Sequence, residues 1–377
     1  MIGTSAPAAL DALLRAYSST PSAASPRRMF FFLSFSQSLM RSAEEKYELL
    51  HQGFIRPEPS PMTITAVDVL KARKVQQGVV TRTPLTRSKA LSEISGAEVY
   101  MKWENLQKTG AYKLRGAVYR MSLLAPDERI KGVITASAGN WALGVAMSAQ
   151  AMGIKATICV PATTPKVKVE RCRSYGAEVV LHGRYFDEAF AHCQGLVKTS
   201  DKTYVSGTDD YDTFAGHGTI GIEVSEELPD VDTYVIPVGG GGLATGIAVW
   251  AKAVNPDVRI IGAQSTAART MYECFKAGKL VDVPVPPTIA EGLAGGITQL
   301  NLDLALKYFD DIVLAEEKEL KSTILWILKN ERQVIEGSAA VGPAAILQHK
   351  VRFKKGEKVV VVVSGGNIDT EILDLPE

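Results

Sequence analysis

Residues 107–117 read Gln-Lys-Thr-Gly-Ala-Tyr-Lys-Leu-Arg-Gly-Ala. They place Lys113 between a glycine-containing turn and the start of a predicted helix, among apolar and aromatic residues and close to the positive charge of Arg115. Burial and a like charge both favour the uncharged form of a lysine, and a neutral amine attacks carbonyl carbon. An ordinary surface lysine that covers an apolar helix face with its methylene groups fits the same stretch. Three later stretches favour the reactive lysine.

The composition argues against several classes of protein. The chain has 377 residues, of which 46% are hydrophobic and 22% charged, as in soluble globular proteins. Its net charge of +1 gives no support for binding nucleic acid or an anionic membrane, and no apolar run approaches the roughly 20 residues of a membrane span. Neither nucleic acid nor a membrane is therefore predicted as a partner. The scattered cysteines predict reduced thiols and no structural zinc: Cys159, Cys172, Cys193 and Cys274.

Residues 1–61 differ in composition from the rest of the chain. Up to Ser42 they are rich in serine and alanine and contain four arginines but a single acid, Asp11. An organellar transit peptide has this composition, and a misassigned start explains it equally well, because Met62 opens a segment that reads as a fresh beginning. We predict a flexible extension over 1–61, and a cytoplasmic protein unless the extension is a transit peptide.

The rest of the chain alternates between predicted strands and helices, which is typical of parallel α/β sheets. The predicted strands are 97–103, 132–135, 156–160, 178–181, 231–238, 259–263 and 359–363. A first helix is capped by Thr65, and further helices are predicted at 141–152, 166–175, 186–198, 244–254 and 314–333. The five valines of 359–363 lack polar alternation, which indicates a strand buried on both faces.

A glycine run, Gly239 to Gly242, lies between a predicted strand and a predicted helix. Several N–H groups of such a loop can point to one spot, and the helix N-terminus adds partial positive charge, so the motif suits a phosphate. A tight turn is the alternative, although four glycines lose much backbone entropy. The spacing also imitates a dinucleotide site, but the expected acid about 20 positions on is missing at Ala263-Gln264. No Gly-Lys-Ser/Thr follows, which excludes a Walker A loop.

Two polar motifs follow predicted strands. Residues 137–140 read Ser-Ala-Gly-Asn before a predicted helix, whose free N–H groups suit a carboxylate, although simple helix capping fits as well. Residues 364–367 read Ser-Gly-Gly-Asn, either a turn or part of a site, since ligands bind outside the carboxyl ends of parallel strands. With Lys113 and the glycine run, the chain supplies an amine, a phosphate cradle, a carboxylate cradle and a hydroxyl. Pyridoxal phosphate bound to an amino acid requires this set.

With these motifs together, the chain resembles the fold-type II family of pyridoxal-phosphate enzymes, in particular the branch of threonine/serine dehydratases (ammonia-lyases) and serine racemase. The resemblance runs from about Met62 to the C-terminus and includes 166–170, 176–183 and 215–220. It implies two open parallel-sheet α/β domains, like tryptophan synthase β, with the cofactor in the cleft. We place the large domain at 62–115 and 209–377 and the small domain at 116–208. A homodimer or higher homo-oligomer is also implied.

The resemblance implies a role for each motif. Lys113 carries the cofactor covalently and moves the α-proton of the substrate. The other implied cofactor contacts are Tyr112 near the ring, Asn140 at the phenolic oxygen, Gly239, Gly240, Gly241, Gly242 and Leu243 at the phosphate, Ser364 at the pyridine nitrogen, and Glu336 beside the cofactor. The implied substrate side comprises Ser137, Ala138, Gly139, Asn140, Trp141 and Glu291.

The implied reaction is β-elimination from a β-hydroxy amino acid such as L-threonine or L-serine, giving a 2-oxo acid and ammonia. A neutral hydroxyl at Ser364 permits an unprotonated pyridine ring, so losing the β-hydroxyl together with the α-proton is favoured over transamination. The alternatives are β-replacement or another amino-acid substrate in the same family, a non-catalytic binding protein, and, more distantly, a nicotinamide-dependent oxidoreductase that uses the glycine run.

Three departures from the family pattern modify these expectations. Ala138 stands where serine racemases carry a second serine, which predicts poor racemisation because that reaction needs acid–base groups on both faces. Trp141 stands where the branch usually has histidine, and it either reshapes the substrate pocket or packs in the core of the small domain. Residues 264–270 lack the Glu and Asp that hold a divalent cation in metal-binding members, so no metal is expected at that place.

Overall fold

The computed structural model describes residues 63–369. The prediction of an extension over 1–61 concerns residues outside this range. Strands and helices alternate through the described residues, and no helix among them is both long enough and apolar enough to span a membrane.

The strands belong to two sheets. In chain order they are β1 (Leu85–Arg87), β2 (Glu98–Trp103), β3 (Val133–Ala136), β4 (Ala156–Val160), β5 (Glu178–Leu181), β6 (Thr203–Tyr204), β7 (Thr233–Pro237), β8 (Arg259–Ser265), β9 (Asp311–Ala315) and β10 (Lys358–Val363). The larger sheet has the order β1-β2-β10-β7-β8-β9, and the smaller has the order β5-β4-β3-β6. Every pairing is parallel except that of the edge strand β1 with β2.

Helices cover these sheets. They are α1 (Ala66–Gln76), α2 (Lys89–Ser95), α3 (Lys113–Ser122), α4 (Pro126–Lys131), α5 (Asn140–Met152), α6 (Lys166–Ser174), α7 (Phe186–Thr199), α8 (Tyr211–Glu227), α9 (Gly242–Val254), α10 (Thr270–Ala277), α11 (Gln299–Tyr308), α12 (Leu320–Glu331) and α13 (Gly337–Leu347). Short 3-10 helices lie at Glu104–Leu106, Glu291–Leu293 and Glu317–Glu319. The predicted α/β class with parallel sheets is confirmed.

The valine strand β10 lies between β2 and β7 in the larger sheet. Val359 to Val363 are fully buried, with Val361 paired to Met101 on one side and Val235 on the other. Apolar side chains on both faces contact helices, which explains why the strand has no polar alternation. This strand places Ser364 at the carboxyl edge of the sheet. The domain boundaries given above stay a prediction.

The predicted helix over 314–333 is wrong at its N-terminal end. Leu314 and Ala315 belong to β9, which pairs in parallel with β8, and the helix α12 begins only at Leu320. A short apolar run fits helical and strand periodicity equally well, so periodicity alone did not find the boundary. The helices α2, α4, α8, α10, α11 and α13 and the strands β1, β6 and β9 were not among the predicted elements.

Candidate active site

The loop that presents Lys113 is hydrogen-bonded to the end of β10. Gly110 has a φ of +77°, a left-handed conformation that favours glycine. The N–H of Tyr112 donates to the Ser364 carbonyl at 3.0 Å, and the N–H of Gly366 donates to the Gly110 carbonyl at 2.9 Å. Lys113 is then the first residue of α3. The lysine and Ser364, 251 positions apart in the chain, are therefore held side by side by main-chain contacts.

The Lys113 amine is half-buried and points to a backbone carbonyl. Its Nζ donates to the Gly207 oxygen at 3.0 Å. It also lies 5.2 Å from the ring centre of Tyr112 and 5.8 Å from that of Trp141. The aromatic surroundings expected for a reactive lysine are thus present.

Arg115 does not act as the free positive charge expected beside Lys113. Its guanidinium is fully buried, 2.7 Å from a Glu104 oxygen and 2.8 Å from a Glu223 oxygen. Lys102 also binds Glu223, at 2.7 Å. Although burial alone would raise it, Arg115 and Lys102 lower the pKa of Glu223 to about 2. The ion cluster of Lys102, Glu104, Arg115 and Glu223 therefore anchors α3 beneath the lysine.

The glycine run forms an open cradle of N–H groups. The N–H groups of residues 239–243 donate to no carbonyl oxygen of the described residues. Gly241 has a φ of +86°, and a Cβ added to Gly240 would have, in the described part of the chain, no neighbour closer than the Thr208 oxygen at 3.6 Å. Free donors at a helix N-terminus bind anions. Thr208 follows Gly207, which binds the Lys113 amine, so the cradle and the amine adjoin one short segment.

The polar motif at the start of α5 contacts the large sheet. The Asn140 amide nitrogen donates to both carboxylate oxygens of Glu336, at 2.9 and 3.0 Å, and its oxygen accepts from Asn367 at 2.7 Å. Burial raises the pKa of Glu336, while its bond with Asn140 opposes the shift. The Ser137 hydroxyl accepts from the Gly139 N–H at 3.3 Å. The motif therefore joins the two sheets, whereas no side chain of the described residues caps the helix at its N-cap residue Gly139, so the simple capping offered as an alternative is not found.

Trp141 packs in the core of the small sheet. Its indole is 6% exposed, and its Nε1 donates to Thr135 Oγ1 at 3.1 Å and to the Val205 carbonyl at 3.3 Å. Core packing, one of the two interpretations given for this residue, describes these contacts. A direct contact of Trp141 with substrate stays a prediction.

The remaining predicted residues lie around the same place. Ser364 is 3% exposed, Leu243 is buried, Ala138 is half-buried against the small-sheet core, and Gly139 is exposed. Glu291 is largely exposed, with its carboxylate 3.7 Å from Lys168 Nζ, but its neighbours Gly292 and Leu293 pack on Gly239. The roles assigned to these residues stay predictions.

His217 was not predicted as a site residue. Its ring stacks edge-on against Tyr112 with centres 4.7 Å apart, and neither ring nitrogen has a hydrogen-bond partner among the described residues. Burial and then Lys113 and Arg115 lower its pKa well below the ordinary value, so the ring is neutral. Gly116 makes room for the ring, because a Cβ there would lie 2.3 Å from His217 Cε1. That packing joins residues far apart in sequence and leaves no local signal.

The arrangement fits pyridoxal phosphate. The partly buried Lys113 amine can react with the aldehyde, and the free N–H groups of residues 239–243 can donate hydrogen bonds to the phosphate. The ring of Tyr112 lies beside the amine. Ser364 is buried, and its hydroxyl makes no hydrogen bond within residues 63–369, so the hydroxyl is available to a ring nitrogen.

Comparison with known proteins gives the same family. The family described as "Pyridoxal-phosphate dependent enzyme" matches residues 77–365. The L-threonine ammonia-lyase of Thermotoga maritima is 43% identical over 312 residues, covering 82% of this chain and 77% of the relative. The catabolic L-threonine dehydratase of Escherichia coli is 37% identical over 304 residues, covering 80% and 92%.

Solved structures agree with the fold. The processed form of threonine deaminase isoform 2 from Solanum lycopersicum superimposes with a TM-score of 0.76 at 33% identity, covering 85% of this chain and 97% of that one. Maize serine racemase superimposes with a TM-score of 0.80 at 29% identity, covering 83% and 96%. With the site geometry and these matches in agreement, the chain belongs to the family of pyridoxal-phosphate dependent enzymes.

Proposed function

We propose that the protein is an ammonia-lyase that uses pyridoxal phosphate to convert a β-hydroxy amino acid, L-threonine or L-serine, to a 2-oxo acid and ammonia. The proposal depends on one observation, that three features lie close together. They are the Lys113 amine, which donates to the Gly207 carbonyl, the free N–H groups of residues 239–243 next to Thr208, and Ser364 at the end of β10. The names of the relatives at 43% and 37% identity support the threonine substrate.

The chemistry divides between the cofactor and this chain. Pyridoxal phosphate, when bound, withdraws electrons from the α-carbon of an attached amino acid. Lys113 Nζ would hold the cofactor and, when free, would take the α-proton of the substrate. The N–H groups of residues 239–243 bind the phosphate, and those at the start of α5 bind the substrate carboxylate.

Ser364 decides the direction of the reaction. Its hydroxyl is neutral, so it accepts or donates a hydrogen bond without holding a proton on the pyridine nitrogen. The negative charge that develops when the α-proton leaves is then relieved more easily by loss of the β-hydroxyl than by delocalisation into the ring. This supports elimination over transamination.

Contacts between the sheets support exclusion of water from the reacting atoms. Asn140 and Glu336 face each other across the two sheets, at 2.9 Å. Movement of Asn140 with the small sheet, relative to Glu336 on the large sheet, would open and close the site. Glu336 would take part in the site through Asn140, which donates to both of its carboxylate oxygens.

A substrate panel tests the proposal. The purified full-length protein is supplied with pyridoxal phosphate and incubated with L-threonine, L-serine, D-serine and L-alanine, and 2-oxo acid is measured. We expect product from L-threonine or L-serine and none from L-alanine, which has no leaving group, with Lys113→Ala abolishing turnover. An added thiol distinguishes β-replacement from elimination, because β-replacement would convert the thiol and the substrate to a new amino acid in place of the 2-oxo acid. Cofactor binding without any product would contradict the proposal.

Two further features belong to the proposal. We expect a homodimer or higher homo-oligomer and a cytoplasmic protein, or an organellar one if residues 1–61 are a transit peptide. Light scattering after size exclusion measures the oligomeric state. The nicotinamide oxidoreductase alternative is not retained, because the family that matches residues 77–365 uses pyridoxal phosphate.

A further inference from the structure

Trp141 connects two neighbouring strands of the small sheet, β3 and the edge strand β6. Its Nε1 donates to Thr135 Oγ1 in β3 and to the Val205 carbonyl just after β6. Thr135 Oγ1 in turn donates to the same Val205 carbonyl at 2.9 Å. All three residues are buried. The course of the backbone after β6 is therefore set by the indole.

Gly207, two residues after Val205, packs closely against the Trp141 indole. A Cβ at Gly207 would be 2.6 Å from Trp141 Cδ2 and 2.7 Å from its Cγ, so a larger residue would have to displace the ring or the backbone. The carbonyl of Gly207 accepts the hydrogen bond of Lys113 Nζ. A continuous chain of contacts thus runs from Trp141 through Gly207 to the amine.

We infer that Trp141 is a positioning residue for Lys113, acting through Gly207. The indole fixes the Gly207 carbonyl, and that carbonyl holds the amine whenever the amine is not joined to the cofactor. The inference rests on the proposed function for its role in turnover, since a substrate amine must displace Lys113 and the free lysine must then stay close to the α-carbon.

The chemistry of the acceptor suits this task. A backbone carbonyl accepts one N–H of a neutral amine, and the lone pair of the amine nitrogen stays free. A carboxylate at the same place would favour the ammonium form. A small displacement of the carbonyl moves the amine with it, and a misplacement of about 1 Å can cost on the order of 100-fold in rate. The tryptophan therefore acts without touching substrate.

The test compares Trp141→Phe with Trp250→Phe in the full-length protein. The first removes both Nε1 hydrogen bonds from behind Gly207. The control removes a similar bond, from Trp250 Nε1 to Ser225 Oγ at 3.1 Å, on α9. Cofactor is removed and re-added, and the rate at which Lys113 captures it is followed by the visible absorbance of the attached cofactor. We expect Trp141→Phe to slow capture about tenfold or more, with the control within about twofold of wild type.

Turnover gives a second readout. A positioning role predicts that Trp141→Phe lowers kcat with KM nearly unchanged, whereas a wall of the substrate pocket would change KM and the preference between serine and threonine. Equal capture rates in Trp141→Phe and Trp250→Phe, or an effect confined to KM, would overturn the inference. Because capture needs no turnover, failure of the proposed reaction leaves this measurement intact.

If Trp141→Phe does not fold, Gly207→Ala alone tests the same contact, because its Cβ would lie 2.6 Å from Trp141 Cδ2. The added methyl group presses on the indole, so capture should slow, and capture as fast as in wild type would contradict the inference. Where both single variants fold, the double variant also tests their coupling. In the double variant the smaller phenylalanine ring leaves room for that methyl, and the two effects should be far from additive. Additive effects would show that Gly207 and Trp141 act separately and would contradict the inference.

Discussion

At the scale of single residues, Lys113 and Arg115 show what local sequence can and cannot predict. The reactive amine was predicted from a glycine turn, a helix start and apolar neighbours, and the structure places it between two aromatic rings. The fate of Arg115 was not predictable, because its partner Glu223 lies 108 positions away. A charge seen in sequence can be balanced by a carboxylate that only the fold brings near.

Glu223 should make the protein sensitive to acid. Its pKa is lowered to about 2, so its charge stabilises the fold fully above about pH 4.5, and this contribution is lost as the pH falls towards 2. The contribution amounts to about 3 kcal/mol. Urea unfolding from pH 7 down to pH 3 should show wild type losing stability faster than Glu223→Gln. Parallel pH profiles for the two proteins would contradict this account.

The same substitution tests the ion cluster at neutral pH. Glu223→Gln leaves Lys102 and Arg115 buried with less compensation, which should cost about 3–5 kcal/mol of unfolding free energy. Glu93→Gln is the matched control, because its ion pair with Lys89 is exposed and such pairs contribute about 1 kcal/mol or less.

Ser364 tests the direction of the chemistry. Ser364→Asp would place a carboxylate at the predicted ring-nitrogen position and favour a protonated ring. We expect elimination to slow by about tenfold or more relative to wild type, with transamination products becoming detectable. The rate of ammonia release, which reports elimination, and the rate of amino-group transfer to the cofactor are measured on the same sample. An unchanged ratio of the two would place Ser364 away from the ring nitrogen.

At the scale of elements, strands were predicted well where a buried parallel strand stands between glycine or polar motifs, as with β10. The region 314–333 failed because a strand, a 3-10 turn and a helix share one apolar pattern. The helix α13 escaped prediction for another physical reason. It is buried from Gly337 to Ile346 and carries Pro343 inside, so it has no polar face to give periodicity.

The glycine run gives a prediction at this scale. Among residues 63–369, a Cβ at Gly240 meets nothing closer than 3.6 Å. Gly240→Ala should therefore fold normally while its methyl group enters the space in front of the N–H groups. Affinity for pyridoxal phosphate should fall about tenfold or more, while affinity for pyridoxal, which has no phosphate, should stay unchanged. Binding of both is measured by absorbance titration.

Gly195→Ala is the control for this substitution, since Gly195 also has open space around it but lies in α7. If Gly240→Ala lowered the affinity for pyridoxal phosphate and for pyridoxal equally, the loop would be a structural turn and not a phosphate site.

At the scale of the whole molecule, Asn367 joins the sheets. Its amide nitrogen donates to Asn140 at 2.7 Å and to the Thr109 carbonyl at 2.8 Å, and its oxygen accepts from Arg171 at 2.7 Å. Asn140 and Arg171 belong to helices of the small sheet, whereas Asn367 follows β10 of the large sheet. The resemblance predicted the motifs on each side, but contacts between residues about 200 positions apart required the structure.

Asn367→Ala should loosen these contacts between the sheets. Hydrogen exchange over residues 137–141 should become faster, and KM for the amino acid should rise about tenfold, because the carboxylate cradle is less well placed. Asn330→Ala serves as control, since within residues 63–369 the exposed Asn330 side chain bonds only inside its own helix, to the Trp326 carbonyl. Exchange rates that match the control would show that Asn367 does not hold the sheets together.

The central claim is that Lys113 carries the cofactor. Borohydride reduction of the protein with pyridoxal phosphate fixes the cofactor permanently to the amine that holds it, and mass spectrometry of the peptides locates that amine. We predict a single modified lysine, Lys113. Modification of another lysine such as Lys108 or Lys168, with Lys113 unmodified, would contradict the account.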